Sequence, residues 1–234
     1  MKKQIYKDAN AAADGFAQYL LSKHKSQDTL SIALSGGSTP KILFNLLADK
    51  YLSEIDWSKI QLYWGDERCV PPTDNESNYK MTVDHLISKI NIPETNIHRV
   101  LGENSPTEEA VRYGQLLAEH LPIVDGLPEF DIIILGIGTD GHTASIFPHE
   151  IELMTSASIC AIGINPDSGQ KRITLTGPVI NNAKSVCFLA TGASKAEKLS
   201  EIFSASGNFE SYPAAHVSPT HGELIWFLDE DSSK

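Results

Sequence analysis

Short apolar segments alternate with helix-like segments along the 234-residue chain, and this alternation is the strongest constraint on its fold. Segments with the length and composition of strands are Thr29–Leu34, Ile60–Trp64, Asp131–Leu135, Ser158–Ile164, Arg172–Thr176, Ser185–Thr191 and Leu224–Leu228. Segments with the spacing of helices are Pro40–Lys50, Tyr79–Lys89, Glu108–His120 and Lys195–Phe203. Strands separated by helices predict a mostly parallel sheet with helices on both faces. Because no linker or repeat divides the sequence, we expect one α/β domain over residues 1–234, in which the middle segment could form a small subdomain.

The composition excludes several classes of protein. With 41% hydrophobic residues the chain can bury a sizeable core, yet no apolar run approaches the roughly 20 residues that cross a bilayer. The first residues are basic but no apolar run follows them, which argues against a signal peptide. A net charge of −11 argues against nucleic acid or an anionic membrane as a partner, but it does not exclude a local positive pocket for a small anion.

The three cysteines, Cys69, Cys160 and Cys187, are widely scattered and include no C-x-x-C pair. An odd and dispersed set argues against a disulfide framework or a thiolate metal site, and it fits a reducing cytoplasm. Cys160 and Cys187 lie in apolar runs, so we expect them to be core residues.

Four of the predicted strands are followed by loops rich in glycine, hydroxyl or charged residues. These loops are Ser35–Thr39, Gly65–Arg68, Gly136–His142 and Thr191–Lys195. The carboxyl ends of parallel strands meet at one edge of the sheet, where ligands bind in such folds. Each loop alone could be ordinary turn and cap chemistry. Four loops with complementary chemistry at one edge favour a ligand site.

The first of these loops has the features of an anion-binding turn. Gly36 and Gly37 allow the backbone to approach a ligand closely, and Ser38 and Thr39 stand where a helix begins. Free N–H groups and the helix dipole at such a point favour a phosphate or carboxylate. The spacing is not that of a P-loop. We therefore predict a cradle for one phosphate, with a plain Ser/Thr N-cap as the alternative.

The third loop contains the G-x-G-x-x-G spacing of a dinucleotide-binding turn, from Gly136 to Gly141. That motif requires a long helix after its last glycine and an acidic residue about 20 positions further on. Here Pro148 leaves room for only about two turns of helix, and the next predicted strand, Ser158–Ile164, has no acidic residue. The sequence therefore argues against a nucleotide.

The same loop places Asp140 two residues before His142, a pair suited to proton transfer. Histidine can take a proton from water near neutral pH, and a neighbouring carboxylate can orient the ring and stabilise its protonated form. The alternatives are a histidine that caps a short helix and a metal site, although one Asp-x-His pair has too few ligands for a metal. Other histidines, such as His24 and His120, are predicted to be solvated helix positions.

Motifs along nearly the whole chain resemble those of the 6-phosphogluconolactonase family. The segments that carry the resemblance are SGGSTP (35–40), GDER (65–68), DNESN (74–78), GIGTDGHTASIFP (136–148), RITLT (172–176), the G-x-x-K of 192–195 and ELIWFLD (223–229). The most specific of them are DGHTASIFP and DER with a downstream SN. The resemblance implies an open, Rossmann-like α/β sheet that binds no nucleotide.

The resemblance also implies a reaction and a set of site residues. The reaction is hydrolysis of the 1,5-lactone of 6-phosphogluconate by an activated water, without a cofactor or metal, in a protein expected to be a monomer. The candidate catalytic residues are His142 as general base, with Asp140, Arg68 and Asp66. The candidate substrate-binding residues are Gly36, Gly37, Ser38, Thr39, Arg172 and Lys195. Asp66 and Arg68 could instead form an ion pair that shapes their loop.

Two other functions share part of this pattern. Glucosamine-6-phosphate deaminases have the same glycine-rich loops and DGH motif, but they carry a glutamate shortly after DGH and an aromatic residue at the position of Arg68. Here no glutamate occurs before Glu150. The missing glutamate and the presence of Arg68 both favour the lactonase over the deaminase. A sugar-phosphate-sensing domain would need the phosphate loop without His142, and it would normally be joined to a DNA-binding module, which the sequence does not show.

Overall fold

A computed structural model describes all 234 residues, and its centre is a six-stranded parallel sheet. The strands of the chain are β1 Lys2–Tyr6, β2 Leu30–Leu34, β3 Ile60–Trp64, β4 Asp66–Arg68, β5 Ile123–Val124, β6 Leu127–Pro128, β7 Ile132–Leu135, β8 Cys160–Ile164, β9 Lys171–Leu175, β10 Ser185–Ala190 and β11 Glu223–Asp229. The central sheet has the order β1-β11-β10-β7-β2-β3, and every neighbouring pair in it is parallel. The predicted α/β fold with a mostly parallel sheet is therefore confirmed.

The helices cover this sheet because its middle strands are mostly apolar. The α-helices are α1 Ala9–Ser26, α2 Ser38–Asp49, α3 Asn78–His85, α4 Pro106–His120, α5 Gly177–Asn181 and α6 Ala196–Ser204. Short 3₁₀ segments are Trp57–Lys59, Ile87–Lys89, Glu94–Asn96, Pro148–Thr155, Ala193–Lys195, Phe209–Ser211 and Pro213–His216. Every residue of β2 and β10 is buried, so both faces of the sheet are covered. Most of the buried apolar side chains form one cluster of 52 residues, and the buried Phe147 and Tyr212 lie outside it.

Two predicted strands belong to a second, smaller sheet. Segments Ser158–Ile164 and Arg172–Thr176 do form strands, β8 and β9, but these pair antiparallel with each other, and β9 also pairs antiparallel with β4. The predicted loop Gly65–Arg68 therefore contains a strand. At Gly65 the chain passes from the large sheet to the small one. The Gly65 N–H donates to the Leu34 carbonyl in the large sheet, and the Gly65 carbonyl accepts from the Leu175 N–H in the small sheet.

The sequence prediction was incomplete for polar elements at the surface of the protein. Strand β1 was not predicted, because it is a mostly polar edge strand that pairs only with β11, and helix α1 was indicated only at His24. His24 was predicted to be solvated, and that was wrong. Its ring is buried, and Nε2 accepts a hydrogen bond of 3.0 Å from the Asp56 N–H. His120 is exposed, and Cys160 and Cys187 are buried, as predicted.

None of the helices is both long enough and apolar enough to cross a bilayer.

Candidate active site

A cavity of about 210 Å³ lies at the carboxyl edge of the parallel sheet. The loops after β2, β3, β7 and β10 meet there, and β9 of the small sheet closes one side. The residues that line it are Ser35, Gly36, Gly37, Asp66, Arg68, Asn78, Gly136, Ile137, Gly138, His142, Ala144, Arg172 and Lys195. The predicted convergence of four strand-end loops at one edge is therefore observed.

His142 and Asp140 form a hydrogen-bonded pair at this cavity. Nδ1 of His142 lies 2.6 Å from Oδ1 of Asp140, and the same oxygen accepts the His142 backbone N–H at 3.1 Å. Because an ionised carboxylate only accepts hydrogen bonds, this contact assigns the proton of the neutral ring to Nδ1, so that Nε2 is a free acceptor in the neutral form and carries a second proton in the charged form. The ring packs beside Phe147, with 4.8 Å between centroids.

Asp140 is ionised at neutral pH. Burial alone would raise the pKa of its carboxyl group, but the hydrogen bond and the charge of His142 outweigh burial and lower the pKa of Asp140 to about 2. A carboxylate in this position stabilises the imidazolium that forms when Nε2 takes a proton. The pair therefore has the geometry of a general base with its orienting group.

The glycines of the loop make this pair possible. The Gly138 N–H donates to the His142 carbonyl at 2.9 Å, which closes the loop into a tight turn. A Cβ at Gly138 would lie 2.1 Å from Nδ1 of His142 and 2.4 Å from Oδ1 of Asp140, so no larger residue fits there without displacing the pair. No helix begins between Gly141 and Pro148, where the sequence leaves room for two turns; a 3₁₀ segment starts at Pro148 instead.

Two arginines stand side by side on the small sheet. Arg68 on β4 and Arg172 on β9 are direct cross-strand partners. Burial and the nearby charge of Arg68 lower the pKa of Arg172. Arg172 lies over Phe147, with its Cζ 5.6 Å from the ring centroid. Neither arginine forms an ion pair with a carboxylate of the protein.

Asp66 lies on the same face of β4 as Arg68, but the two residues form no ion pair. Asp66 is 5% exposed, and its carboxylate accepts from the Ser145 hydroxyl at 2.7 Å and from Asn78 Nδ2 at 3.4 Å. The Arg68 guanidinium donates instead to the carbonyl of Glu76, and its Nε is buried without a partner. The alternative that Asp66 and Arg68 pair with each other is therefore wrong.

Glu67, between them, points to the other side of β4 and has a structural role. It is 2% exposed and accepts hydrogen bonds of 2.7 to 3.0 Å from the backbone N–H groups of Arg68, Asn78 and Tyr79 and from the Ser77 hydroxyl. This carboxylate thereby satisfies the free N–H groups at the start of α3. The Glu67 side chain does not line the cavity.

The loop after β2 offers backbone donors to the cavity. Gly37 precedes α2 with a φ of +110°, and no side chain caps the helix. The N–H groups of Gly36 and Gly37 donate to no group of the protein. A Cβ at Gly36 would lie 1.9 Å from Oδ1 of Asn78, so glycine is required there. These donors suit an anion at the start of a helix.

Two predicted residues of this loop, Ser38 and Thr39, do not line the cavity. Ser38 is exposed to solvent. The Thr39 hydroxyl is buried 2.9 Å from that of Thr191, so it connects two strand-end loops behind the cavity. Asp140 also lies outside the lining and reaches the cavity only through His142.

Lys195 is the third cation of the cavity. It directly precedes α6, and it forms no ion pair. Burial lowers the pKa of its ammonium group, and the charge of Asp140 opposes this effect. A partly buried, unpaired lysine gains stability when an anion binds beside it.

The sequence did not single out several residues that line the cavity. Asn78 belongs to the quoted SN motif, but its side chain was given no role; it now connects Asp66 to the Gly36 turn. Two further donors belong to the loop Gly136–His142, which the sequence did single out: the backbone N–H groups of Gly136 and Ile137 have no partner in the protein. Backbone donors of this kind have no residue-type signature, so only their place in a glycine-rich loop indicates them.

The fold and the cavity define an α/β protein whose strand-end cavity combines three cationic side chains with a histidine–carboxylate pair. The family profile described as glucosamine-6-phosphate isomerases/6-phosphogluconolactonase matches residues 6–226. The chain therefore belongs to this family, as its motifs predicted.

Individual relatives agree with this assignment over nearly the full chain. A 6-phosphogluconolactonase of Treponema pallidum is 44% identical over 204 residues, which cover 87% of this chain and 85% of the relative. A 6-phosphogluconolactonase of Haemophilus influenzae is 42% identical and covers 95% of this chain and 94% of its own. The crystal structure of the devB protein has a TM-score of 0.94 at 43% identity and covers 99% of this chain and 97% of that one.

Proposed function

We propose that this chain is an enzyme that hydrolyses 6-phospho-D-glucono-1,5-lactone to 6-phospho-D-gluconate, the second step of the oxidative pentose phosphate pathway. The observation that carries the proposal is one small cavity that combines the free Nε2 of His142 with three unpaired cations, Arg68, Arg172 and Lys195. In a chain with a net charge of −11, such a cluster suits a phosphorylated substrate. The relatives named 6-phosphogluconolactonase support the same substrate.

In the proposed mechanism, His142 acts as general base. Its Nε2 takes a proton from a water molecule while the water oxygen forms a bond to C1 of the lactone. Asp140 holds the ring by Nδ1 and stabilises the imidazolium. The bond from C1 to the ring oxygen then breaks, and the leaving C5 oxygen recovers the proton from His142. Positioned acid–base catalysis contributes about 10²- to 10⁴-fold, and an activated ester such as a lactone needs no covalent nucleophile.

The tetrahedral intermediate carries a negative oxygen that needs preorganised donors. The unpaired N–H groups of Gly136 and Ile137 line the cavity on the same loop as His142. The Arg68 guanidinium is the other candidate donor. We propose that the oxyanion forms against this loop, because the N–H groups of Gly138 and Gly141 are already used within the turn.

For the substrate phosphate we propose Arg172 and Lys195, together with the backbone N–H groups of Gly36 and Gly37. Arginine offers a two-pronged contact and lysine a point charge. The side chains of Ser38 and Thr39 are not required, because neither lines the cavity. Asp66, fixed by Ser145 and Asn78, is placed to accept a hydrogen bond from a sugar hydroxyl.

The deaminase is the second candidate within the family. Its characteristic acid after DGH has no counterpart in the cavity, because the first carboxylate after His142 is Glu150. The Glu150 carboxylate accepts from the Ile164 N–H at 3.0 and 3.2 Å and does not line the cavity. The arrangement favours the lactonase over the deaminase. A non-catalytic sensing domain would not need the His142–Asp140 pair.

The test supplies two substrates to the same preparation. Freshly generated 6-phosphogluconolactone is added, and acid release is followed against the spontaneous rate; glucosamine 6-phosphate is added separately, and ammonia is measured. We expect fast acid release and no ammonia. Enzymatic ammonia release would establish the deaminase, and no activity on either compound would favour a sensing domain.

We further propose that residues 1–234 act as one domain and as a monomer, in the cytoplasm, without a cofactor. One continuous core of 52 buried residues and three free cysteines support this proposal. All the groups that the mechanism uses come from a single copy of the chain. Sedimentation of the active protein would test the monomer directly.

A further inference from the structure

The turn that carries the catalytic pair rests on a tyrosine outside the cavity. Tyr212 is 5% exposed, and its ring packs directly against Gly141, the residue between Asp140 and His142. A Cβ at Gly141 would lie 2.5 Å from Cγ of this ring. The Ala214 N–H also donates to the Gly141 carbonyl at 3.1 Å. The catalytic turn is thus held from behind at two points.

The other end of Tyr212 is fixed to helix α6. Its hydroxyl donates to the Glu201 carboxylate and accepts from Lys198 Nζ at 3.0 Å. The same Nζ lies 4.9 Å from the centroid of the tyrosine ring. Lys195, one of the cavity cations, directly precedes this helix. Tyr212 therefore connects the turn that carries the base to the helix behind Lys195.

We propose that Tyr212 is a positioning residue for the reaction. The packing of its flat ring against Gly141 fixes the backbone of the Asp140–His142 turn, and the hydroxyl contacts on α6 are not required for this. This inference rests on the proposed function, because the benefit of a fixed turn is a base held at the right distance from C1. A displacement of about 1 Å at such a base can cost about 10²-fold in rate.

The structure provides a matched control in Tyr51. This ring is also buried, at 4% exposed, its hydroxyl donates to the Asp14 carboxylate at 2.8 Å, and Lys50 Nζ lies 4.8 Å from its centroid. Like Tyr212, Tyr51 therefore contacts one carboxylate and one lysine, but these are different residues and they lie outside the site. Tyr51→Met removes a comparable ring from the core without touching the catalytic turn.

The test compares Tyr212→Met, Tyr212→Phe and Tyr51→Met for kcat, KM and the hydrogen-bonded Nδ1 proton of His142 in the NMR spectrum. That signal is assigned by its loss in His142→Gln, and it does not depend on turnover. We expect Tyr212→Met to lower kcat 10- to 100-fold with KM within threefold, and to broaden or remove the signal. Tyr212→Phe, which keeps the ring, and Tyr51→Met are expected to keep the signal and to retain kcat within threefold.

Several outcomes would overturn the proposal. One is a folded Tyr212→Met protein with normal kcat and an unchanged Nδ1 signal; another is an equal loss in Tyr212→Phe or in Tyr51→Met. Thermal unfolding of each variant is measured first, and Tyr212→Leu replaces Tyr212→Met, with the same expectation, if the latter does not fold. Inactive wild-type protein would contradict the proposed function instead, and the NMR comparison would still test Tyr212.

Discussion

Replacement of Gly138 by alanine tests whether the glycine-rich loop exists to hold the catalytic pair. The backbone of Gly138 is outside the left-handed region, so alanine causes no backbone strain. Its methyl group would lie 2.1 Å from Nδ1 of His142 and 2.4 Å from Oδ1 of Asp140. Non-bonded atoms approach a Cβ to roughly 3 Å at the closest, so the imidazole must move by about 1 Å.

A displacement of that size costs about 10²-fold in rate when it affects a positioned catalytic group. We therefore expect Gly138→Ala to lower kcat about 100-fold, while KM stays within threefold because Arg172 and Lys195 are untouched. The assay is acid release from freshly generated lactone at saturating concentration, corrected for spontaneous hydrolysis.

Gly65→Ala is the matched control for Gly138→Ala. Gly65 stands in a neighbouring strand-end loop, where a Cβ would meet only the Leu34 carbonyl at 3.4 Å, an ordinary contact. We expect this variant to keep near-normal kcat. A folded Gly138→Ala protein with kcat within threefold of the wild type would refute the reasoning, since the pair would then tolerate the displacement.

Three further expectations concern binding, metals and acid stability. Arg172→Met and Lys195→Met are each expected to raise KM about 10- to 150-fold, because each loses charge-assisted hydrogen bonds to the phosphate, and to affect kcat less. An unchanged KM in both variants would exclude these residues as phosphate ligands. Activity is expected to survive exhaustive treatment with EDTA, and loss restored by a divalent ion would contradict the roles given to Asp140 and His142. Burial alone would raise the pKa of Glu223, but hydrogen bonds from Lys2, Lys23 and Tyr19 lower it to about 2. A depressed carboxyl pKa stabilises the fold above the unfolded-state value near 4.5, by up to about 3 kcal/mol, and this contribution is lost as pH falls towards 2. Urea unfolding of Glu223→Gln should therefore show the full loss at pH 7 and almost none near pH 2; an equal difference at both values would contradict the assignment.

The central sheet could be predicted because its signal is local. Strands such as Ile60–Trp64 are short apolar runs bounded by polar loops, and four of the five residues of this strand are buried. The edge strand β1 could not be predicted in this way. Its first three residues are polar, and its only partner, β11, lies more than 200 positions away in sequence.

The small sheet shows why the site was only partly predictable. Arg68 and Arg172 were both candidates, but their direct pairing depends on contacts across about 100 residues that no local pattern encodes. The alternative of an Asp66–Arg68 ion pair is wrong for the same reason, since the partner of Asp66 is Ser145, from the loop after β7. Residue type indicated which groups are reactive, and the tertiary fold determined their partners.

Glycine-rich loops illustrate the reverse case, in which local spacing in the sequence is enough to argue for one function against another. The G-x-G-x-x-G spacing favours a nucleotide, and the lack of room before Pro148 argues against it. In the structure, Gly138 makes space for the His142–Asp140 contact and Gly141 packs on Tyr212. Tyr212 itself has no signal in the sequence, because it lies between two short 3₁₀ segments and a buried tyrosine is common in protein interiors.

The most direct test of the account is the kcat of His142→Gln at saturating lactone. Glutamine keeps a polar side chain but cannot act as a base, so the change affects the transition state more than substrate binding. His149→Gln serves as the control, because that histidine lies close in sequence but does not line the cavity. We expect kcat of His142→Gln to fall by about 10²- to 10⁴-fold with KM within threefold, and His149→Gln to remain near normal. A folded His142→Gln enzyme whose kcat stays within tenfold of the wild type would contradict the claim that His142 is the base.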